Sequence, residues 1–485
     1  MQFTSFEFLI FLPIVVAVNF IIPRKFKYIW LFITSLCFFA TVDAKSTAVL
    51  IGVILITYFL GRAIEGAKDN PGKKKYLLML SMVLTVGFLL YVRFVEFLAS
   101  RMKDVTPDAP PSVLFFSTVG ISFYMLKAIS YLVDIYREDL VAEKNFVKYA
   151  LYISFFPQIT SGPIERAKNL LPQFAYPVSV DFDRLRDGLL QILWGYFLKL
   201  VLADRMGIFV KEIFDGGYLQ PGTITFIGTL FYTFEIYCDF GGYSHMAIGI
   251  ARILGIDSMS NFDSPYLAQS IPEFWRRWHI SLSSFLKDYV YIPLGGNRKG
   301  KGRKYLNILI VFAISGIWHG AGLTFIIWGL LHGVYQVVGY ILKPVRDKLV
   351  DIFKVNRNAF SHQALRTIIT FLLVNFAWVF FRAFSVERAM GIIAKSFEFT
   401  PWVLTDGTLF SYGLNEANML LIVAGLALLV IVDVLNYKGV VVREKILSQG
   451  IWLRWAIVIA AILVILVCGI WGPGYDASSF IYEQF

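Results

Sequence analysis

The chain has little charge, few cysteines and none of the short motifs that mark common soluble enzymes. Charged residues make up 16% of its 485 residues, against 57% hydrophobic and 17% aromatic. So few polar side chains cannot cover a water-facing surface of that size; a soluble protein is excluded and a polytopic membrane protein is expected. The three cysteines, Cys37, Cys238 and Cys468, each stand inside an apolar run without metal-ligand spacing. Neither a disulfide framework nor a zinc site is suggested, and no metal is expected. No G-x-S-x-G elbow or H-E-x-x-H motif occurs, and no histidine has an aspartate five residues on. "GGNRKGK" at 295–301 has the glycine and lysine spacing of a P-loop, but Gly302 replaces its Ser or Thr and no apolar strand precedes it. No fixed-period repeat, low-complexity tract or linker separates off a soluble part, so one membrane domain over 1–485 is expected. The opening "MQFTSFEFLIFLP" lacks a basic leader and a cleavage site, and reads as a retained first helix.

Apolar runs near the roughly 20 residues that cross a bilayer are plentiful. They fall at 6–22, 28–42, 47–60, 76–98, 112–133, 188–203, 222–240, 322–340, 365–381, 418–436 and 451–471. Pieces at 149–160, 243–256 and 305–318 are shorter and suit re-entrant or tilted segments. The expected fold is all-α, with about ten to twelve transmembrane helices plus re-entrant and interfacial helices.

The net charge is +11, which suits nucleic acid or membrane topology. Its placement decides for topology, because the basic residues gather in links between apolar runs. Arg24, Lys25 and Lys27, the stretch 62–75, the cluster Arg298, Lys299, Lys301, Arg303 and Lys304, and the stretch 343–366 are assigned to the cytoplasm. Links at 43–46, 99–111 and 384–417, the last with Glu387, Glu398, Asp406 and Glu416, are poorer in basic residues, as is the tail with Asp476 and Glu483. These fall outside, and so does the N-terminus. No nucleic-acid partner is expected; the lipid bilayer is.

From Pro272 to Tyr291 the pattern is that of one amphipathic helix. Trp275, Trp278, Leu282, Phe285, Leu286 and Tyr289 share a face opposite Glu273, Arg276, Arg277, Ser283, Ser284, Lys287 and Asp288. It is expected to lie along the cytoplasmic interface, with His279 on the rim of its apolar arc. His279 is open to two readings, a partly buried histidine with a hydrogen-bond partner or a functional group.

"ISGIWHGAGLTFIIWGLLHG", 314–333, places His319 after Trp318 and before Gly320 and Gly322, where a helix can break inside an apolar hairpin. An ionisable group there is a functional hypothesis by default, set against a structural hydrogen bond to a carbonyl. His332 is expected to make an interhelix hydrogen bond, His245 to be structural and His362 to be solvated. Glu235 and Asp239, four apart, are expected to pair with a membrane-embedded cation, Lys199 or Lys127.

"FWRRWHISLSSFLKDYVYIPLGGNR", "GIWHGAGLTFIIWGLLHG" and "FPQITSGPIERAKNLLPQF" together resemble the membrane-bound O-acyltransferase superfamily, in particular its bacterial alginate O-acetylation branch. The resemblance covers about 1–385; 386–485 would form an outer link and two further transmembrane helices. It implies that His319 is the essential histidine of a central tunnel crossing the membrane, with His279 the second motif histidine. Trp318, Trp275, Arg276, Arg277, Asn297 and His332 join them as substrate-binding candidates. Arg276, Arg277 and the 298–304 cluster lie where the phosphates of a cytoplasmic donor would arrive; contact with lipid headgroups explains them equally well. One departure stands out: the branch commonly shows "DFSGYSDMAIG", whereas this chain has Gly241 and His245 in "DFGGYSHMAIG".

The resemblance implies an acetyltransferase of the bacterial inner membrane, using acetyl-CoA as acyl donor. It also implies a polysaccharide acceptor and a separate extracytoplasmic transferase as partner. D-alanyl transfer from a carrier protein, and a non-enzymatic transporter or flippase, are the alternatives. Alginate, cellulose, another exopolysaccharide and peptidoglycan all fit as the polymer.

Overall fold

The computed structural model of the chain describes residues 1–41, 43–105, 119–175, 182–320, 322–472 and 475. Among these there are helices and no strands, apart from one isolated bridge between Phe262 and Trp278. Part of the 99–111 link, and Asp476 and Glu483 of the tail, lie outside the described residues. The chain forms two compact units, the first chiefly from Met1–Tyr196 and Tyr243–Ser260, the second from Phe197–Gly242 and Asn261–Gly474.

The first unit contains α1 (Phe6–Ile21), α2 (Lys27–Ala40), α3 (Ala44–Gly66), α4 (Pro71–Val105), α5 (Ile121–Arg137), α6 (Phe146–Ser154), α7 (Ala167–Ala175) and α8 (Phe182–Tyr196). Helix starts follow the expected capping chemistry: Asp43 accepts from the Ser46 N–H at 2.8 Å, and Asn145 from the Val147 and Lys148 N–H groups at 3.0 and 3.2 Å. Hydroxyls inside the helices turn back on their own backbone, Ser35 onto the Leu31 carbonyl at 2.6 Å and Ser81 onto Leu77 at 2.7 Å. This satisfies them where no water is available. Large apolar side chains such as Ile21, Phe59 and Val83 instead face outward. The apolar piece at 149–160 is a nine-residue buried helix followed by turns, too short to span. Lys127 is buried and donates to Gln158 at 3.1 Å, while its ammonium stands 4.8 Å from the Tyr152 ring centroid.

The second unit begins with a π-helical turn at Phe197–Ala203 and continues through α9 (Asp204–Phe214) and α10 (Gly222–Ile253), whose last turns belong to the first unit. There follow α11 (Ile271–Arg277), α12 (Ile280–Leu286), α13 (Gly300–His319), α14 (Leu323–Ile341), α15 (Lys343–Ile352) and α16 (Phe360–Arg382). The remaining helices are α17 (Val386–Ser396), α18 (Glu416–Tyr437), α19 (Val442–Leu447) and α20 (Ile451–Cys468). Lys199 holds Asp239 at 2.6 Å and Asp204 at 2.8 Å, so the expected buried pairing is made for Asp239. Glu235 is not in that bridge; its Oε2 has no hydrogen-bond partner.

Six described helices are long and apolar enough to cross a membrane: α3, the Pro71–Val95 part of α4, α14, α16, α18 and α20. Ten to twelve were expected. The run at 28–42 ends up in a helix of 14 residues, short of the roughly 20 that cross a bilayer, and the run at 188–203 is divided between the end of α8 and the π-helical turn that follows it without a break. Helices α13 and α14 form a hairpin packed backbone to backbone. A Cβ on Gly316 would lie 2.4 Å from the Phe325 carbonyl oxygen, and one on Gly329 2.3 Å from that of Phe312. Only glycine permits that approach.

A candidate active site around three histidines

The amphipathic segment at 272–291 is not one helix. It breaks at His279, whose φ is +44°, between α11 and α12. Ser270 caps α11 by accepting from the Glu273 N–H at 3.3 Å. At the break, the Ile280 N–H donates to the Asn261 carbonyl at 3.0 Å and the Ser281 N–H to the Asn261 side chain at 3.3 Å. The chain at 261–263 thus supplies the partners that a continuous helix would have supplied. The apolar arc is buried as expected, but the break turns His279 fully inward, with 0% of its surface exposed. Its ring meets Phe240 edge-on at 4.7 Å between centroids. Burial pushes its pKa down to about 3, so the imidazole is neutral.

His319 is the last residue of α13, and the chain leaves the helix at Gly320. It is 2% exposed and is flanked by Trp318, Trp328 and Phe381 at centroid distances of 4.7, 4.9 and 5.2 Å. The Trp318 ring also contacts His279, 6.0 Å away. One indole therefore joins the two motif histidines.

His332, fully buried in α14, extends the cluster. Its ring lies 5.1 Å from Trp275, 5.4 Å from Trp328 and 6.3 Å from Trp378. The expected interhelix hydrogen bond is not made: neither ring nitrogen has a partner, because the positions around it are taken by aromatic rings. Trp275, Trp318 and His332, three of the substrate-binding candidates, thus stand together with His279 and His319.

The others stand apart. Arg276 and Asn297 are exposed. Arg277 is engaged by Asp263 at 2.7 Å and Glu273 at 3.2 Å, and its guanidinium lies 4.5 Å from the Tyr437 ring centroid. The "GGN" turn is held by Asn307, which donates to the Gly296 carbonyl at 2.9 Å. His245, at the departing motif, lies 3.4 Å from Gln191 in the first unit. Sequence reasoning missed Asn261, Phe240, Trp328, Trp378 and Phe381. Trp328 stands one helical turn before His332, a spacing that would have placed it on the same face; Asn261 carries no local signal.

Chemically, a neutral buried imidazole can accept a proton, and close aromatic walls exclude the water that would hydrolyse an activated acyl group. Among the described residues no group of three or more metal-ligating side chains is found.

Comparison with known proteins bears on the same region. The family model for membrane-bound O-acyltransferases matches residues 77–384. The probable alginate O-acetylase of Pseudomonas syringae pv. tomato is 35% identical over 437 residues, covering 88% of this chain and 81% of the relative. The peptidoglycan O-acetyltransferase of Helicobacter pylori is 34% identical over 394 residues, covering 76% and 73%. A teichoic acid D-alanyltransferase of Streptococcus thermophilus is 29% identical over 258 residues, covering 50% and 62%.

Proposed function

The chain belongs to the membrane-bound O-acyltransferase family and is an O-acyltransferase; from that premise we propose that it carries acetyl groups from cytoplasmic acetyl-CoA across the inner membrane for O-acetylation of an extracytoplasmic polysaccharide. The observation that carries this reading is the buried pair His319 and His279 bridged by Trp318. His319 takes the proton of the acceptor hydroxyl as its oxygen attacks the thioester carbonyl. The tetrahedral intermediate collapses, the carbon–sulfur bond breaks, and the leaving thiolate recovers the proton from the imidazolium. His279 orients the donor or the acceptor beside it, with Trp275, Trp318 and His332 as further walls.

Two likenesses to O-acetylases over most of the chain favour acetyl over D-alanyl transfer, since the D-alanyltransferase matches half of it. The basic links favour an N-terminus on the outer side. The longest outer link, 384–417, has about 34 residues, too few to form an independent catalytic core. A separate extracytoplasmic transferase therefore receives the acetyl group and passes it to the polymer.

The test is reconstitution in liposomes, with acetyl-CoA on the face carrying Lys301 and polysaccharide on the other, with and without the candidate partner. Acetyl-CoA consumption coupled to acetylated partner is expected. Acetylation of the polymer at full rate without a second protein overturns the relay, and no consumption with any acceptor overturns the acetyl reading.

A further inference from the structure

Helix α18 lies beyond residue 384, where the family match ends. Past its first residue, its one charged side chain is Asp433. A carboxylate in such an apolar helix is costly unless it has a task or a counter-ion. Among the described residues no basic side chain pairs with Asp433. Instead it accepts the hydroxyl of Tyr237, buried in α10, with oxygen distances of 3.0 and 3.1 Å, and its backbone carbonyl accepts from Ser264 at 3.0 Å. One turn on, Tyr437 donates to Glu273 at 3.5 Å.

Each of these contacts reaches the segment that carries His279. The Tyr237 ring packs against Phe262 at 5.7 Å and Trp278 at 6.1 Å between centroids. Phe262 and Trp278 are the bridged residues that flank the Asn261 anchor and the left-handed turn. Ser264 follows on one side of that bridge, and Glu273 lies in α11 on the other. The left-handed φ of His279 is unfavourable for a non-glycine residue, and such a conformation persists only where its surroundings hold it.

We propose that Asp433 is a positioning residue for His279, acting through Tyr237: α18 holds the turn that presents His279 to Trp318 and His319. The inference rests on the acetyl-transfer reading for its kinetic test, and on the fold alone for its structural one.

Asp433→Leu, Asp433→Asn and Tyr237→Phe are made in the full chain. Hydrogen–deuterium exchange of the Ile280 and Ser281 amides should quicken in Asp433→Leu and Tyr237→Phe while α13 and α14 stay protected. In the liposome assay both variants should lose roughly 10- to 100-fold in kcat per folded molecule, the scale of a misplaced catalytic group, with KM for acetyl-CoA little changed. Asp433→Asn still accepts the tyrosine hydroxyl and should recover most of the rate; combining Asp433→Leu with Tyr237→Phe should be no worse than either alone. Unchanged exchange at 280–281 in both variants overturns the proposal, as does a rate loss explained wholly by less folded protein. If the wild type consumes no acetyl-CoA, the functional reading fails while the exchange result still decides the positioning role.

Discussion

Gly316 and Gly329 approach so closely across the α13–α14 hairpin that a Cβ on Gly329 would stand 3.2 Å from the Gly316 Cα. Three residues beyond Gly316, the same helix ends in His319, so this contact sets the depth and direction of the imidazole. Gly329→Val should lose about 1–3 kcal/mol of stability through overpacking and abolish acetyl transfer. Gly339→Val, in the same helix with open space at its Cβ, should do neither. Thermal unfolding in detergent, with acetyl transfer measured in parallel, checks both; equal behaviour of the two variants would contradict the packing argument.

His319→Ala should reduce acetyl transfer by about 10²-fold or more, the usual contribution of a general base, with unchanged expression and unfolding temperature. Wild-type levels of acetylated product would remove His319 from the mechanism. His279→Ala should lower the rate too, and a change confined to the KM for acetyl-CoA would assign it to donor positioning.

The burial of neutral His279 makes stability depend on pH. Its folded pKa of about 3 lies below the ordinary 6.5, so the unfolded chain binds the proton first. The stabilisation is complete above pH 6.5 and is lost as pH falls from there toward 3. The unfolding temperature of the wild type should therefore drop more steeply across that interval than that of His279→Asn; parallel slopes would count against a neutral buried imidazole.

Lys199→Met would leave the Asp204 and Asp239 carboxylates buried without their cation, at a cost of about 3–5 kcal/mol. Adding Asp239→Asn should restore part of it. Recovery of folded protein from membranes is the measurement, and a well-folded single variant would show the bridge to be dispensable.

In a background lacking Cys37, Cys238 and Cys468, Asp406→Cys should react with an impermeant thiol reagent on intact cells and Lys301→Cys should not. Both positions are exposed. The reverse pattern would invert the direction of transfer.

Local patterning made part of this legible in the sequence. Long apolar runs mark α14, α16, α18 and α20, and the crowding of Trp318, His319, Gly320 and Gly322 marks the helix end inside an apolar hairpin. The i, i+4 placement of Glu235 and Asp239 points to a buried cation, and Lys199 supplies it for Asp239. The break at His279 is not legible, because the amphipathic period runs through it undisturbed and its cause is Asn261, eighteen positions earlier in the chain. His332 misleads because a polar residue in an apolar helix suggests a hydrogen bond, whereas the rings converging on it come from α11, α13, α14 and α16. Asp433 stands out as a lone carboxylate in an apolar run, but nothing local points to its partner Tyr237, 196 residues away.

The interleaving of the two units constrains how the protein is made. The first unit uses Met1–Tyr196 and Tyr243–Ser260, and the second takes the intervening Phe197–Gly242 together with most of the later chain. A nascent chain emerging from the ribosome has therefore synthesised the Lys199–Asp239 stretch before the first unit can close. That stretch must then wait for α11 to α20, the last of which ends at Cys468, more than two hundred codons after Asp239. Domain-by-domain maturation, the ordinary route for large proteins, is closed to it. The waiting segment carries Lys199, Asp204 and Asp239 already able to bridge one another, so its charges can be offset from within before the later helices arrive.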